Sequence, residues 1–209
     1  MDEQSLLTTI LEIFIAIGTV AVAILAIWGD WFRDRFAGPK LELSLRSSRG
    51  NLTTMNGRQA LYYHLAVQNH RKWSLAKGVQ IMIRGIWRKA ADGTFKAETL
   101  AAEIPLTWAF PQFSPINPPI RDSRICDLGF LAQDAAHYQP SLYFYPNNFT
   151  GNVGKNDSVR FGIGITAENF TSKVLFVVEV SWDGTWSTDL DQMERHLVIK
   201  EIEASDHFQ

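Results

Sequence analysis

The sequence has a single cysteine and no marked excess of positive or negative charge. Each of these features excludes some classes of protein. Cys126 has no partner for an intrachain disulfide, which suits a domain that folds in a reducing compartment. The 20 Lys and Arg residues nearly balance the 22 Asp and Glu residues, for a formal net charge of −2. A surface that tracks a phosphate backbone needs an excess of basic residues. Nucleic acid is therefore disfavoured as the main partner.

Motifs for common enzyme chemistry are also missing. No Gly-x-Ser-x-Gly turn occurs, and Cys126 lies in an apolar run that predicts packing rather than reactivity. The five histidines lack metal-ligand spacing, so neither a metal nor another cofactor is predicted. Gly162-Ile163-Gly164 falls inside a predicted strand, where glycines let another backbone approach closely. We expect a protein that is not an enzyme, with an enzyme of unrecognised type as a minor alternative.

The longest apolar run predicts a transmembrane helix over about residues 6–28. No charged residue occurs in residues 13–28, and the run of about 23 residues is roughly 34 Å long as a helix. A cleaved signal peptide is the alternative, but such peptides begin with positive charge, whereas the first four residues include two acids and no base. Trp28 and Trp31 lie where an interfacial aromatic belt belongs. We expect residues 1–37 to form a membrane anchor.

Basic residues after this helix predict its orientation. Arg33, Arg35 and Lys40 follow the apolar run, while the flank before it carries only acidic charges. Short flanks rich in Lys and Arg stay on the cytoplasmic side of a membrane. The sequence therefore predicts a single-pass protein of the inner cell membrane, with its N-terminus outside and residues 38–209 in the cytoplasm.

Small and polar side chains recur about every 3.5 residues along the helix, and the bulky ones occupy its other faces. This pattern is typical of a helix that packs against other helices, although an alanine-rich anchor also produces it by chance. An ionisable residue within a span usually faces a partner helix or water, although one near the end can reach the interface. We predict a small homo-oligomer and, as a weaker expectation, a polar path lined by Glu12, Thr19 and Asp30. The predicted association face consists of Glu12, Ala16, Thr19, Ala23 and Ala26.

Residues 38–209 are dominated by alternating apolar and polar residues, which predict β-strands. Gly38 and Pro39 mark the linker, and Asn56-Gly57 is typical of a tight hairpin. Many short strands without alternating helices predict an antiparallel β-sandwich of immunoglobulin-like type, with a closed β-barrel as the alternative. A short helix is predicted in residues 187–195. The predicted strands lie near residues 41–45, 61–67, 79–87, 104–108, 142–145, 159–165, 173–182 and 196–202.

Two polar segments are candidate ligand sites. A long proline-rich connection around residues 111–122 has the features of a binding loop. Acidic residues cluster after the predicted strand at residues 173–182, but their spacing matches no calcium loop and a solvated charged surface explains them. The candidate ligand-binding residues are Phe113, Asn117, Arg121, Asp122 and Arg124, and the weak metal candidates are Asp183, Asp189 and Asp191.

These features together favour a binding or sensor module held at a membrane. The expected partners are membrane lipid, further copies of the chain, and an unidentified cytosolic ligand or protein. By architecture alone, a small cytosolic domain on one spanning helix resembles the membrane effectors of bacterial defence systems. That resemblance implies a second hypothesis, in which ligand binding reorganises the helix bundle and permeabilises the membrane.

Overall fold

A computed structural model describes residues 3–32, 37–110 and 116–202 of the chain, which divides into two compact units, Met1–Gly38 and Pro39–Gln209. The first unit contains helix α1 (Glu3–Phe32). Its segment Leu7–Gly29 is long and apolar enough to cross a membrane, and none of it is buried within the protein. A signal sequence would have the same length and composition. The prediction of one apolar N-terminal helix is confirmed.

Some of the residues that carried the membrane predictions cannot be compared with the structure. Arg33 and Arg35, from the basic flank, lie outside the described residues. The same holds for the side chains of Asp30, from the predicted polar path, and Trp31, from the predicted aromatic belt.

Six of the described strands form a first antiparallel sheet, in the order β1-β3-β7-β8-β9. β2 also pairs with β3, so the long strand β3 is flanked by β2 along its first half and by β1 along its second half. Asn56 and Gly57, with φ angles of 50° and 77°, join β2 to β3 in the predicted hairpin. The strands are β1 (Leu41–Leu45), β2 (Asn51–Met55), β3 (Arg58–Asn69), β7 (Ser123–Ala132), β8 (His137–Pro140) and β9 (Val153–Gly154).

Seven further described strands form a second antiparallel sheet, in the order β13-β12-β10-β4-β5, with β11 on β10 and β6 on β4. The predicted short helix is present as α2 (Leu190–His196), between β12 and β13. The strands are β4 (Gln80–Lys89), β5 (Phe95–Ala97), β6 (Ile104–Pro105), β10 (Asp157–Ala167), β11 (Phe170–Thr171), β12 (Phe176–Trp182) and β13 (Leu197–Ile202).

The two curled sheets share one hydrophobic core. Alternate residues of β3 and β10 point into it, which is why Leu65 and Phe161 are fully buried. After β6, which pairs with β4 of the second sheet, the chain crosses to the first sheet. Leu106 bridges to Leu142, and Trp108 bridges to Cys126 of β7. The described strands do not close into a barrel.

Mainly antiparallel β structure is thus confirmed, but the strand predictions differ from the structure in detail. The strand predicted at residues 142–145 is wrong, since only Leu142 makes a bridge and the chain then bends. Pro140 and Pro146 flank this stretch and lack the N–H groups that a longer ladder needs. Strand β7 was not predicted, because its apolar run does not alternate.

The glycine triplet of β10 does lie within a strand, but the prediction that it admits another backbone is wrong. A Cβ atom at Gly162 would lie 2.9 Å from the ring of Trp87, and one at Gly164 would lie 2.7 Å from the side chain of Arg84. Two side chains of β4 therefore occupy the space next to these glycines of β10. The absence of β-carbons on these glycines makes room for them.

Candidate functional site

Two cross-strand pairs face outward side by side on the first sheet. Tyr62 lies opposite Phe130, and His64 lies opposite Asp127. The register between β3 and β7 shifts between these pairs, because Leu128 is an extra residue in β7. Such a β-bulge re-aims the neighbouring side chains. The bulge places His64 beside Asp127, next to the aromatic rings of Tyr62 and Phe130.

His64 and Asp127 form a recessed hydrogen-bonded pair. Nδ1 of His64 lies 2.7 Å from Oδ1 of Asp127, and their side chains are 16% and 11% exposed. A carboxylate only accepts hydrogen bonds, so Nδ1 donates. In a neutral imidazole, Nε2 then keeps a lone pair and can accept a hydrogen bond from a ligand.

Aromatic rings border this pair. The ring of Tyr62 stacks against Phe130 at 5.1 Å and against His64 at 6.4 Å between centroids. Its hydroxyl donates a hydrogen bond to Sδ of Met55 at 3.2 Å. Burial, and then the charge of Asp127, raise the pKa of Tyr62 above its usual value. Tyr62 is therefore a neutral wall of the site at physiological pH.

A cavity of about 550 Å³ lies over these residues. That volume is in the range of small-molecule sites. One wall is Phe110, which is 68% exposed and has a φ of 57°, an uncommon backbone conformation for a bulky residue. Asp127 is the only acid among the described lining residues, which include no Lys or Arg. The lining consists of Asn51, Leu52, Thr53, Thr54, Met55, Tyr62, His64, Thr107, Ala109, Phe110, Asp127 and Ser141.

The predicted binding loop has local contacts of its own. Asn117 Oδ1 accepts a hydrogen bond from Gln80 at 2.7 Å, and Asp122 pairs with Lys72 at 2.9 Å. The guanidinium of Arg124 lies 5.9 Å from the ring of Trp108. These contacts tie the described part of the loop to other residues of the β-rich domain. Of the remaining candidates, Arg121 is exposed and Phe113 lies outside the described residues, so ligand binding by this loop stays a prediction.

Local hydrogen bonds account for the three weak metal candidates. Asp189 caps α2 by accepting from the amides of Asp191 and Gln192. Asp191 lies 3.1 Å from Arg49, and Asp183 accepts from Nδ1 of His196 at 2.7 Å. Slight burial raises the pKa of Asp183, but hydrogen bonds, above all from His196, outweigh it and lower the pKa below its usual value. The described residues contain no group of three or more His, Cys, Asp or Glu that could hold a metal ion.

The predicted association face lies wholly within α1. Glu12, Ala16, Thr19, Ala23 and Ala26 are all exposed. The hydroxyl of Thr19 donates to the carbonyl of Ile15 at 2.8 Å, so it has a hydrogen-bond partner within its own helix. Packing against further copies of the helix stays a prediction.

No protein-family model matches this chain, and no curated protein matches it in sequence. The class of protein is therefore defined by the fold and the pocket alone. The protein has a mainly β domain with a ligand-sized pocket and an apolar helix long enough to span a membrane.

The pair beneath this pocket was not predicted, although the sequence contains two signals of it. Asp127 interrupts the apolar run at residues 125–130, and a buried acid needs a partner. His64 occupies a polar position of the alternating strand β3. Only the pairing of β3 with β7, which lie about 60 residues apart, brings the two together.

Proposed function

We propose that the protein is a membrane-anchored binding module, whose β-rich domain takes a small ligand in the pocket over His64 and Asp127. The observation that carries this proposal is the recessed pair itself. It lies beneath a cavity of about 550 Å³, beside aromatic rings and several hydroxyl groups. Ligand sites typically combine apolar walls with a few converging polar groups in this way.

The exposed surface of α1 supports the membrane part of the proposal. Its large apolar side chains in Leu7–Gly29 have no cover within the protein, so lipid or other helices must provide it. The basic flank favours a cytoplasmic domain in the inner membrane. Complete burial of the single cysteine, Cys126, is compatible with that compartment.

Two finer features belong to this proposal. A β-sandwich arrangement is supported by the single core to which both sheets contribute, and immunoglobulin-like connectivity stays a prediction. Association of the chain through the small residues of α1 would cluster its domains at the membrane. Clustering raises the local concentration of binding sites for a multivalent partner.

One observation favours the membrane-permeabilising alternative. Glu12 lies within the span Leu7–Gly29, where a carboxylate is costly unless it meets water or a partner helix. If the helix bundle conducts, cells that express the chain leak a small dye, and Glu12→Ala abolishes the leak. Glu3→Ala, at the first turn of α1, is the matched control and leaves the leak intact. Ligand binding without any leak supports the binding module instead.

A screen for pocket ligands tests the binding function directly. The full chain in lipid nanodiscs is screened by ligand-observed NMR against neutral, cationic and anionic fragments. We expect binders that are lost in Thr53→Trp, which fills the pocket, and kept in Val174→Trp, on another exposed site. A screen without binders, or binders indifferent to Thr53→Trp, would overturn the proposal.

Accessibility of one engineered thiol tests the orientation. Lys72 is exposed on the β-rich domain, and Cys126 is buried, so Lys72→Cys adds one reactive site. A membrane-impermeant maleimide should label this site only after the cells are permeabilised. Labelling in intact cells would place the domain outside.

A further inference from the structure

The pair of His64 and Asp127 beneath the pocket has hydrogen-bond acceptors that no described residue uses. Nδ1 of His64 already donates to Oδ1 of Asp127, which leaves Nε2 as an acceptor when the ring is neutral. No hydrogen bond from a described residue to Oδ2 of Asp127 is present, so this oxygen is a second acceptor of the pair. A ligand that satisfies both must offer N–H or O–H donors.

The charge of the pocket also favours a ligand that donates hydrogen bonds. Asp127 is only 11% exposed, and the described lining has no Lys or Arg to balance it. A carboxylate that is partly withdrawn from water gains most from a cation that also donates hydrogen bonds. The described lining contains no Lys or Arg side chain that would neutralise a phosphate or a carboxylate, and Asp127 would repel either anion.

An inorganic cation does not fit this donor set. One carboxylate and one imidazole are fewer ligands than zinc or calcium sites contain. Apolar side chains also border the cavity, namely Leu52, Met55 and Phe110. They suit a carbon skeleton attached to the charged group.

We propose that this pocket binds a small organic cation, with a primary ammonium or guanidinium group that donates to Asp127 and to Nε2 of His64. This inference rests on the proposed binding function and names the ligand class of that same site. The hydroxyl groups of Thr107 and Ser141 can accept or donate further hydrogen bonds around the ligand, and Thr53 lies in the lining.

Two water-soluble probes of the same length test the charge requirement. The full chain in nanodiscs, in an amine-free phosphate buffer, is titrated with 5-amino-1-pentanol and with 1,5-pentanediol. We expect saturable binding of the amine and at least tenfold weaker binding of the diol. Equal affinity for the two probes would overturn the organic-cation proposal and leave the pocket a general binding site.

Substitutions test whether the amine binds in this pocket. Asp127→Asn should weaken binding of the amine at least tenfold, whereas Asp183→Asn, at a second His–Asp pair of the same 2.7 Å separation, should leave it unchanged. Thr53→Lys adds a competing cation to the lining without changing the pair, and Thr53→Gln is its neutral control. Loss of amine binding in the lysine variant alone supports the inference even if Asp127→Asn does not fold. Unchanged binding in Asp127→Asn and Thr53→Lys contradicts it.

Failure of this inference is distinguishable from failure of the binding function. If only neutral or anionic fragments bind, and Thr53→Trp abolishes their binding, the proposed function is preserved and the organic cation is excluded. The absence of every binder overturns both.

Discussion

Asp127 lies opposite His64, with 2.7 Å between Oδ1 and Nδ1, because β7 contains one residue more than β3 at this point. Continued from the pair Tyr62 and Phe130 without a shift, the register would place Leu128 opposite His64. The bulge instead turns Leu128 into the core, where it is buried. A one-residue change of register thus decides whether the outer face carries an acid or a leucine at this position.

Replacement of this acid by its amide should leave the domain folded. Asp127→Asn keeps an acceptor for Nδ1 of His64 but loses the charge-assisted part of the bond. We expect a loss of about 1 kcal/mol in the free energy of unfolding, measured by denaturant titration of tryptophan fluorescence. Asp127→Leu, which leaves the imidazole N–H without a partner, should cost more. An equal loss in both variants would contradict this account of the pair.

The association face of α1 is testable by disulfide crosslinking in membranes. Single cysteines at Ala16, Thr19 and Ala23 should couple efficiently to a second chain, since we expect these positions to face a partner helix. Cysteines at Phe14 and Ile17, on other faces, should couple poorly. The unmodified chain is the background control, because Cys126 is buried. Preferential coupling at Phe14 and Ile17 would refute the proposed face.

Glu179 should contribute a pH-dependent part of the domain's stability. Arg160 and Lys200 lie 2.8 and 3.1 Å from its two carboxylate oxygens. Burial raises the pKa of Glu179, but hydrogen bonds from Arg160 and Lys200 outweigh it and lower the pKa below its usual value. A lowered pKa in the folded state stabilises the fold above the unfolded value of about 4.3, and this contribution disappears as the pH falls through the folded value.

Glu179→Gln should therefore cost roughly 1–3 kcal/mol at neutral pH, and its difference from the unmodified protein should shrink between pH 5 and pH 3. Glu103→Gln is the matched control. It removes a pair with Arg84 in which Glu103 is half exposed, and it should cost less than about 1 kcal/mol. Urea titrations across this pH range check both expectations. A difference that does not change with pH would show that Glu179 acts through packing alone.

A β-carbon at Gly129 should not fit. It would meet the Tyr138 hydroxyl and would lie 2.5 Å from the carbonyl oxygen of Gln139, which is fixed in β8. Gly129→Ala should therefore lower the free energy of unfolding by about 3 kcal/mol. Gly154→Ala, in β9 of the same sheet, has open space and should change stability by less than about 1 kcal/mol. Comparable losses in the two variants would contradict the close packing of β7 against β8.

Local sequence pattern predicted the elements whose signals are local. The apolar run of α1, the strict alternation in β1 and β3, and the Asn56-Gly57 turn all follow from spacing and turn chemistry. β7 was missed because the bulge at Leu128 breaks the period of two, so its apolar residues do not alternate. The strand predicted at residues 142–145 is wrong because alternation of apolar residues takes no account of the prolines on either side, which cannot donate ladder hydrogen bonds.

The candidate pocket depends on information that a single sequence does not display. His64 and Asp127 become neighbours only through long-range strand pairing and a bulge. Composition alone instead favours the proline-rich loop around residues 111–122. The structure places Phe110, directly before that loop's undescribed part, in the wall of the pocket. None of the described residues predicted in the loop lines this pocket, so ligand binding by the loop stays a prediction.

Alkaline extraction of membranes tests the membrane anchor most directly. Membranes from cells that express the full chain are washed at high pH, and the chain is followed in the pellet and the supernatant, with its intact mass measured. A helix that spans the bilayer over Leu7–Gly29 predicts that the chain stays in the pellet at its full mass of 23.7 kDa. Release into the supernatant, or a mass that lacks the first 30 or so residues as after signal cleavage, would contradict it.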